Sequence, residues 1–267
     1  MMLGARNGAW AKAGGPTPPT YGGLCFTAEA ANSSVQLTAV SSAPVVTLIK
    51  SFDGVNWEDY SVGEVIDLPS VGDFVYLAAG ESGNETFGSS APNYHKFVIN
   101  GLVASSGDIT SILNFDCAQT TLAKFCYIHM FDGCTGLTSA PELPATKLAN
   151  FCYMNMFSGC TGLTSAPELP ATTLAVNCYD SMFRGCTGLT SAPELPATTL
   201  ATGCYNSTFY GCTKLSLIKV HFTAWGSQTS KWVSNVASTG TFYKPSALPD
   251  EFSTDRIPTG WTVVNIA

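Results

Sequence analysis

Apolar and polar positions alternate through the first third of the chain and then change rhythm. Segments 24–30 (LCFTAEA), 34–40 (SVQLTAV), 44–52 (PVVTLIKSF), 64–68 (EVIDL), 73–79 (DFVYLAA) and 95–101 (HKFVING) repeat with a period of two. That is the mark of strands with one buried face. Turn signals at Asn32-Ser33, Asp53-Gly54, Val71-Gly72 and across 80–90 separate them. The pattern predicts an antiparallel β-sandwich-like domain over residues 24–105. Trp57 and Tyr60 fall in a polar connection, either as half-buried packing or as part of a contact surface.

Beyond residue 106 the chain is a repeat. Four windows of 26 residues, starting at Phe125, Phe151, Asn177 and Gly203, align without a gap, the last through its first half alone. Three of them share the fourteen-residue run GCTGLTSAPELPAT. A fixed period of this size is the signature of a solenoid, whose coils stack because none buries its apolar face alone. Leu148, Cys152, Met156 and Gly159 recur at three or four residues, which predicts a short helix begun by Thr146 and ended at Gly159. GLTSAPELP predicts a short strand over 137–141, stacked in parallel on 163–167 and 189–193. The expected coil core is Cys126, Met130, Phe131 and Cys134; Cys152, Met156, Phe157 and Cys160; Cys178, Met182, Phe183 and Cys186; and Cys204, Phe209 and Cys212. Slots that differ between copies, such as Met154-Asn155 against Asp180-Ser181, mark the outer side.

The Met-Phe pairs at 130–131, 156–157 and 182–183, and the cysteines at 134, 160, 186 and 212, resemble the BspA-like leucine-rich repeats. Thr208-Phe209 departs from that pattern. The resemblance covers residues 106–267. It implies strand–helix units over 106–228, a closing cap over 229–267, and relatives among Bacteroidales surface proteins and their phages. It carries no catalytic residue. The resulting fold class is mixed β and α/β, a sandwich-like domain followed by a leucine-rich-repeat solenoid.

Composition narrows the chemistry. Charged residues make up 12% of the chain and the net charge is -7, which argues against a nucleic-acid binder working through phosphate neutralisation. No apolar stretch approaches a membrane-spanning length, so no membrane insertion is expected. Residues 24–105 hold nine acids against Lys50 and Lys96, while the rest of the chain sums to zero, which supports two units. Eight of the ten cysteines form two series of period 26. None is in a close pair of the kind zinc requires, so they read as buried thiols, with disulfides or a reactive thiol as the alternatives. His95, His129 and His221 lie in no recognisable motif, and no phosphate loop or nucleophile elbow occurs. No enzyme, metal or cofactor is expected. Glu142, Glu168 and Glu194 recur once per coil as a charge ladder, with ion bridging as its alternative. With Asn155, Arg184 and Tyr210 they form the candidate recognition surface.

Residues 1–23 form a Gly/Pro-rich arm carrying Leu3, Arg6, Trp10, Lys12 and Tyr21. The arm reads as a docking peptide for other structural proteins, or as a linker. Its first residues lack the apolar run of a Sec or lipoprotein signal. The functional expectation is a non-enzymatic phage virion component (fibre, head decoration or tail accessory), oligomeric or part of a larger assembly, and placed at the virion surface. The alternative is a bacterial cell-surface or extracellular adhesin that binds host glycan or protein.

Overall fold

A computed structural model describes residues 21–266. The front unit holds nine strands: β1 (Cys25–Ala28), β2 (Ser33–Val40), β3 (Leu48–Ser51), β4 (Glu58–Tyr60), β5 (Val65–Leu68), β6 (Phe74–Ala79), β7 (Gly88–Ser90), β8 (Asn93–Asn100) and β9 (Val103–Ser106). Six coincide with the alternating segments, β2 and β8 starting one and two residues earlier; β4, β7 and β9 have too few apolar positions to show a period. One sheet runs β4-β3-β6-β1-β9 and continues into β10 (Leu137–Ser139), and the other runs β5-β2-β8-β7. The sheets meet through rings such as Phe26 and Phe97, whose centroids lie 4.9 Å apart. Tyr60 is buried on β4, where its hydroxyl accepts from the Leu37 N–H (2.8 Å) and donates to the Glu64 carbonyl (2.9 Å).

The repeat region overturns the helical expectation. Among the described residues there is no α-helix; the segments over 125–134, 151–160, 177–186 and 203–212 are chains of turns. Every fourth residue sits in the left-handed region: Phe151 (φ 63°), Asn155 (56°) and Gly159 (72°), with equivalents in the neighbouring copies. That conformation breaks an i to i−4 ladder, so the N–H groups divide their work. Cys152, Met154, Met156, Ser158 and Cys160 donate three residues back, for example Met156 to the Tyr153 carbonyl (3.2 Å). Phe151, Tyr153, Asn155, Phe157 and Gly159 donate to the next coil, for example Tyr153 to Cys178 (3.0 Å) and Phe157 to Met182 (2.9 Å). Each coil is thus a hydrogen-bonded rung of a parallel β-solenoid. The strand–helix units, the leucine-rich-repeat fold class and the BspA-like resemblance built on them are corrected accordingly, because the helices that define such units are absent.

The other wall of the solenoid is extended. β11 (Ser191–Leu195), β12 (Leu217–Val220), β13 (Thr241–Pro245) and β14 (Thr262–Ile266) form a parallel four-stranded sheet in that order. Gly162 and Gly188 are tight points between coils. A Cβ at Gly162 would lie 2.6 Å from the Thr135 carbonyl oxygen, and one at Gly188 would lie 2.7 Å from that of Thr161.

One core runs through both units. Tyr127, Tyr153, Tyr179 and Tyr205 stack at 5.8–5.9 Å. Phe97, Phe131, Phe157, Phe183 and Phe209 stack at 5.1–5.9 Å, with Trp232 at the far end. Strand β8 therefore behaves as a preceding coil: Phe97 donates its N–H to the Met130 carbonyl (2.7 Å), as Phe131 does to Met156 (2.8 Å).

Candidate functional site

The ten cysteines are all free, and nine are buried. One series explains itself by hydrogen bonding. Cys134, Cys160, Cys186 and Cys212 point their thiols at the carbonyls of Phe97, Phe131, Phe157 and Phe183 on the preceding coil, at 3.0–3.2 Å. A thiol here fills a small apolar space and supplies a weak donor. Burial pushes Cys126, Cys134, Cys178, Cys204 and Cys212 up to about 12, the reverse of an activated nucleophile. Thr208 follows the same logic where the repeat departs from Met: its buried hydroxyl donates to the Tyr179 carbonyl (2.9 Å).

The proposed recognition residues lie along the outside of the solenoid. Glu142, Glu168 and Glu194 are exposed. Glu194 accepts from Lys219 (3.0 Å) and pairs with His221 (2.5 Å), and these two hold its carboxyl below the usual range. Arg184 lies over the Tyr210 ring at 5.2 Å. Asn155 is half-buried in the turn wall, with its N–H on the Asp180 carbonyl (2.9 Å). The outer side is not uniformly outward: Asp180 and Ser181, in slots that vary between copies, are buried in the third coil. Thr172, Thr173, Thr198 and Thr199 line a shallow groove of about 310 Å³ between adjacent coils.

Of the arm residues, Tyr21 packs on its own chain. Its ring meets Trp57, Tyr76 and Phe115 at 4.9–5.5 Å, and its hydroxyl donates to the Phe115 carbonyl (2.9 Å). Leu3, Arg6, Trp10 and Lys12 lie outside the described residues.

Two groupings were not singled out in the sequence. At the seam between units, His129 Nδ1 lies 2.9 Å from Asp132 Oδ2, its ring stacks on Tyr94 at 4.6 Å, and Lys96 donates to the Asp132 carbonyl (3.1 Å). A His and Asp three residues apart were the available signal. Among the described residues no hydroxyl or thiol bonds to the other His129 nitrogen. The second grouping is at the solenoid's far end. Lys244, Asp250 and Asn265 converge there from positions with no shared motif.

No known protein-family model matches the chain, and no curated protein or solved structure matches it. Among the described residues, no cluster of His, Cys, Asp and Glu is arranged to hold a metal ion, and no helix is long and apolar enough to cross a membrane.

Proposed function

We propose that this protein is a non-enzymatic structural and recognition subunit of a larger assembly. On this reading the assembly is a virion, and the outer surface of a bacterial cell is the second placement. The observation that carries the reading is the continuous core from sandwich to solenoid. A rod with its inside fully packed has only its outside to offer a partner. That outside is weakly charged and rich in Thr, Ser and Asn, with shallow grooves rather than an enclosed pocket, which suits protein or glycan contact. The front unit, the Arg184–Tyr210 pair on the turn wall and the exposed glutamates on the extended wall are the contact surfaces, with the arm as the attachment point.

The test is to fractionate the native source on a density gradient and follow the chain by mass spectrometry. Co-migration with capsid and tail proteins, or with surface-exposed proteins accessible to external protease, is the expected result. Recovery solely among free cytosolic proteins would overturn the proposal.

A further inference from the structure

Lys244 is an unusual residue to find inside a sheet. It lies on β13 with its side chain 3% exposed, one step along the inward face from the core residue Phe242. Directly opposite it in the parallel register, on β14, is Asn265. The ammonium nitrogen of Lys244 lies 3.2 Å from Asn265 Oδ1 and 2.7 Å from Asp250 Oδ1. It also donates to the carbonyls of Leu248 (2.5 Å) and Pro245 (3.4 Å). The ammonium serves the Leu248 and Pro245 carbonyls, although an apolar residue at this position would continue the face of Phe242. What the three side chains bring together is an amine, a carboxamide and a carboxylate able to carry a proton between them.

We infer that Lys244 and Asn265 form an intramolecular amide cross-link, with Asp250 as the proton shuttle. The Asp250 carboxylate first takes a proton from the Lys244 ammonium. The freed amine attacks Cγ of Asn265, making the Nζ–Cγ bond and a tetrahedral centre. Asp250 then returns its proton to Nδ2, the Cγ–Nδ2 bond breaks, and ammonia departs. The carboxylate removes the remaining extra proton from Nζ and passes it to ammonia, which leaves as ammonium. No oxidant, metal or cofactor enters the balance. The geometry satisfies the first demand of such a reaction, an amine held beside its electrophile with a base in hydrogen-bond reach.

A comparison within the chain supports this reading. Lys50 is also a buried lysine, and it is held by Glu58 (3.4 Å) and by Glu64, with no carboxamide among these partners. That is an ordinary ion pair. At Lys244 one of the partners is an amide from the neighbouring strand. The bond would pin β14, the final strand of the parallel sheet, which has a sheet neighbour on one side alone.

The experiment is intact-mass measurement of the purified full chain after incubation at neutral pH, followed by proteolytic mapping. The expected result is a mass lower by one ammonia, about 17 Da, with peptides containing Lys244 and Asn265 joined. Asn265→Ala and Asp250→Ala should each restore the sequence mass while leaving the thermal midpoint measurable. Lys244→Arg keeps the cation, cannot form the bond, and should do the same. A wild-type chain at full sequence mass would overturn the inference. So would a loss that survives in Asn265→Ala, which would point to a succinimide such as one at Asn100-Gly101. A loss of about 18 Da with Asp250 joined to Lys244 would also overturn it.

Discussion

At the scale of the residue, the cysteines show how a repeated side chain is fixed by its surroundings rather than by reactivity. Each thiol of the second series fills core space and points at one carbonyl of the preceding coil. Native chain should therefore react with a thiol reagent at Cys117 alone, which is half-buried, and release all ten thiols in denaturant without reductant. The raised titration of the buried thiols also has a direction in pH. In the fold Cys126, Cys134, Cys178, Cys204 and Cys212 stay neutral up to about 12, whereas in the unfolded chain they ionise from the ordinary 9.0. The unfolded state then holds fewer protons, so this contribution is intact below pH 9 and lost as pH rises from there towards 12. Denaturant midpoints measured across that range should fall. A flat profile would mean that the thiols are not shielded as described.

At the scale of the element, the coil explains why the inside was legible in the sequence and the backbone was not. Cys152, Tyr153, Met156, Phe157 and Cys160 are all buried, as the apolar spacing indicates. Over ten residues, however, a spacing of four cannot be told from the 3.6 of a helix. What separates them is the left-handed residue every fourth position. Gly159 and Asn155 hint at it, whereas Phe151 at the same conformation does not. The extended wall was legible in part: β10 and β11 overlap the expected strands at 137–141 and 189–193, but 163–167 carries no strand and β10 pairs with β9 rather than with the next coil. The cluster at Lys244 had no signal at all, because its members meet only through strand register and loop path. Two glycines test the element from opposite sides. Gly159→Ala has room for the new carbon and should cost only the left-handed penalty, about 1–2 kcal/mol. Gly162→Ala meets the Thr135 and Leu137 carbonyls, which cannot step aside, and should cost about 3 kcal/mol. Urea titration of both variants gives the order, and the reverse order would mean that coil spacing is looser than the contacts imply.

At the scale of the molecule, sandwich and solenoid are one stack. At Phe97, β8 offers the first coil the rung and the thiol-accepting carbonyl that Phe131 and Phe157 offer their neighbours. The far end closes differently: Asp255 accepts from the Lys231 N–H (2.7 Å), the Thr254 carbonyl accepts from Val233 (3.2 Å), and Trp232 Nε1 donates to the Arg256 carbonyl (2.8 Å). Between these two ends the turn-wall rungs are equivalent, because each turn-wall N–H that crosses to the following coil, from Phe125 to Gly185, reaches the carbonyl 25 places on. Removing residues 151–176 should therefore leave a cooperatively folded chain, with Phe131 stacked on Phe183 and a length reduced by about 4.8 Å in small-angle scattering. Unfolding or aggregation of that variant would show that the coils are not interchangeable. If they are interchangeable, the near-identity of the copies acquires a meaning at the level of the gene. Unequal crossing-over between such similar stretches adds or drops whole coils without a frameshift or a mispaired rung. The reach of the surface behind the sandwich would then be adjustable in fixed steps, a quantity that inheritance changes by counting rather than by redesign.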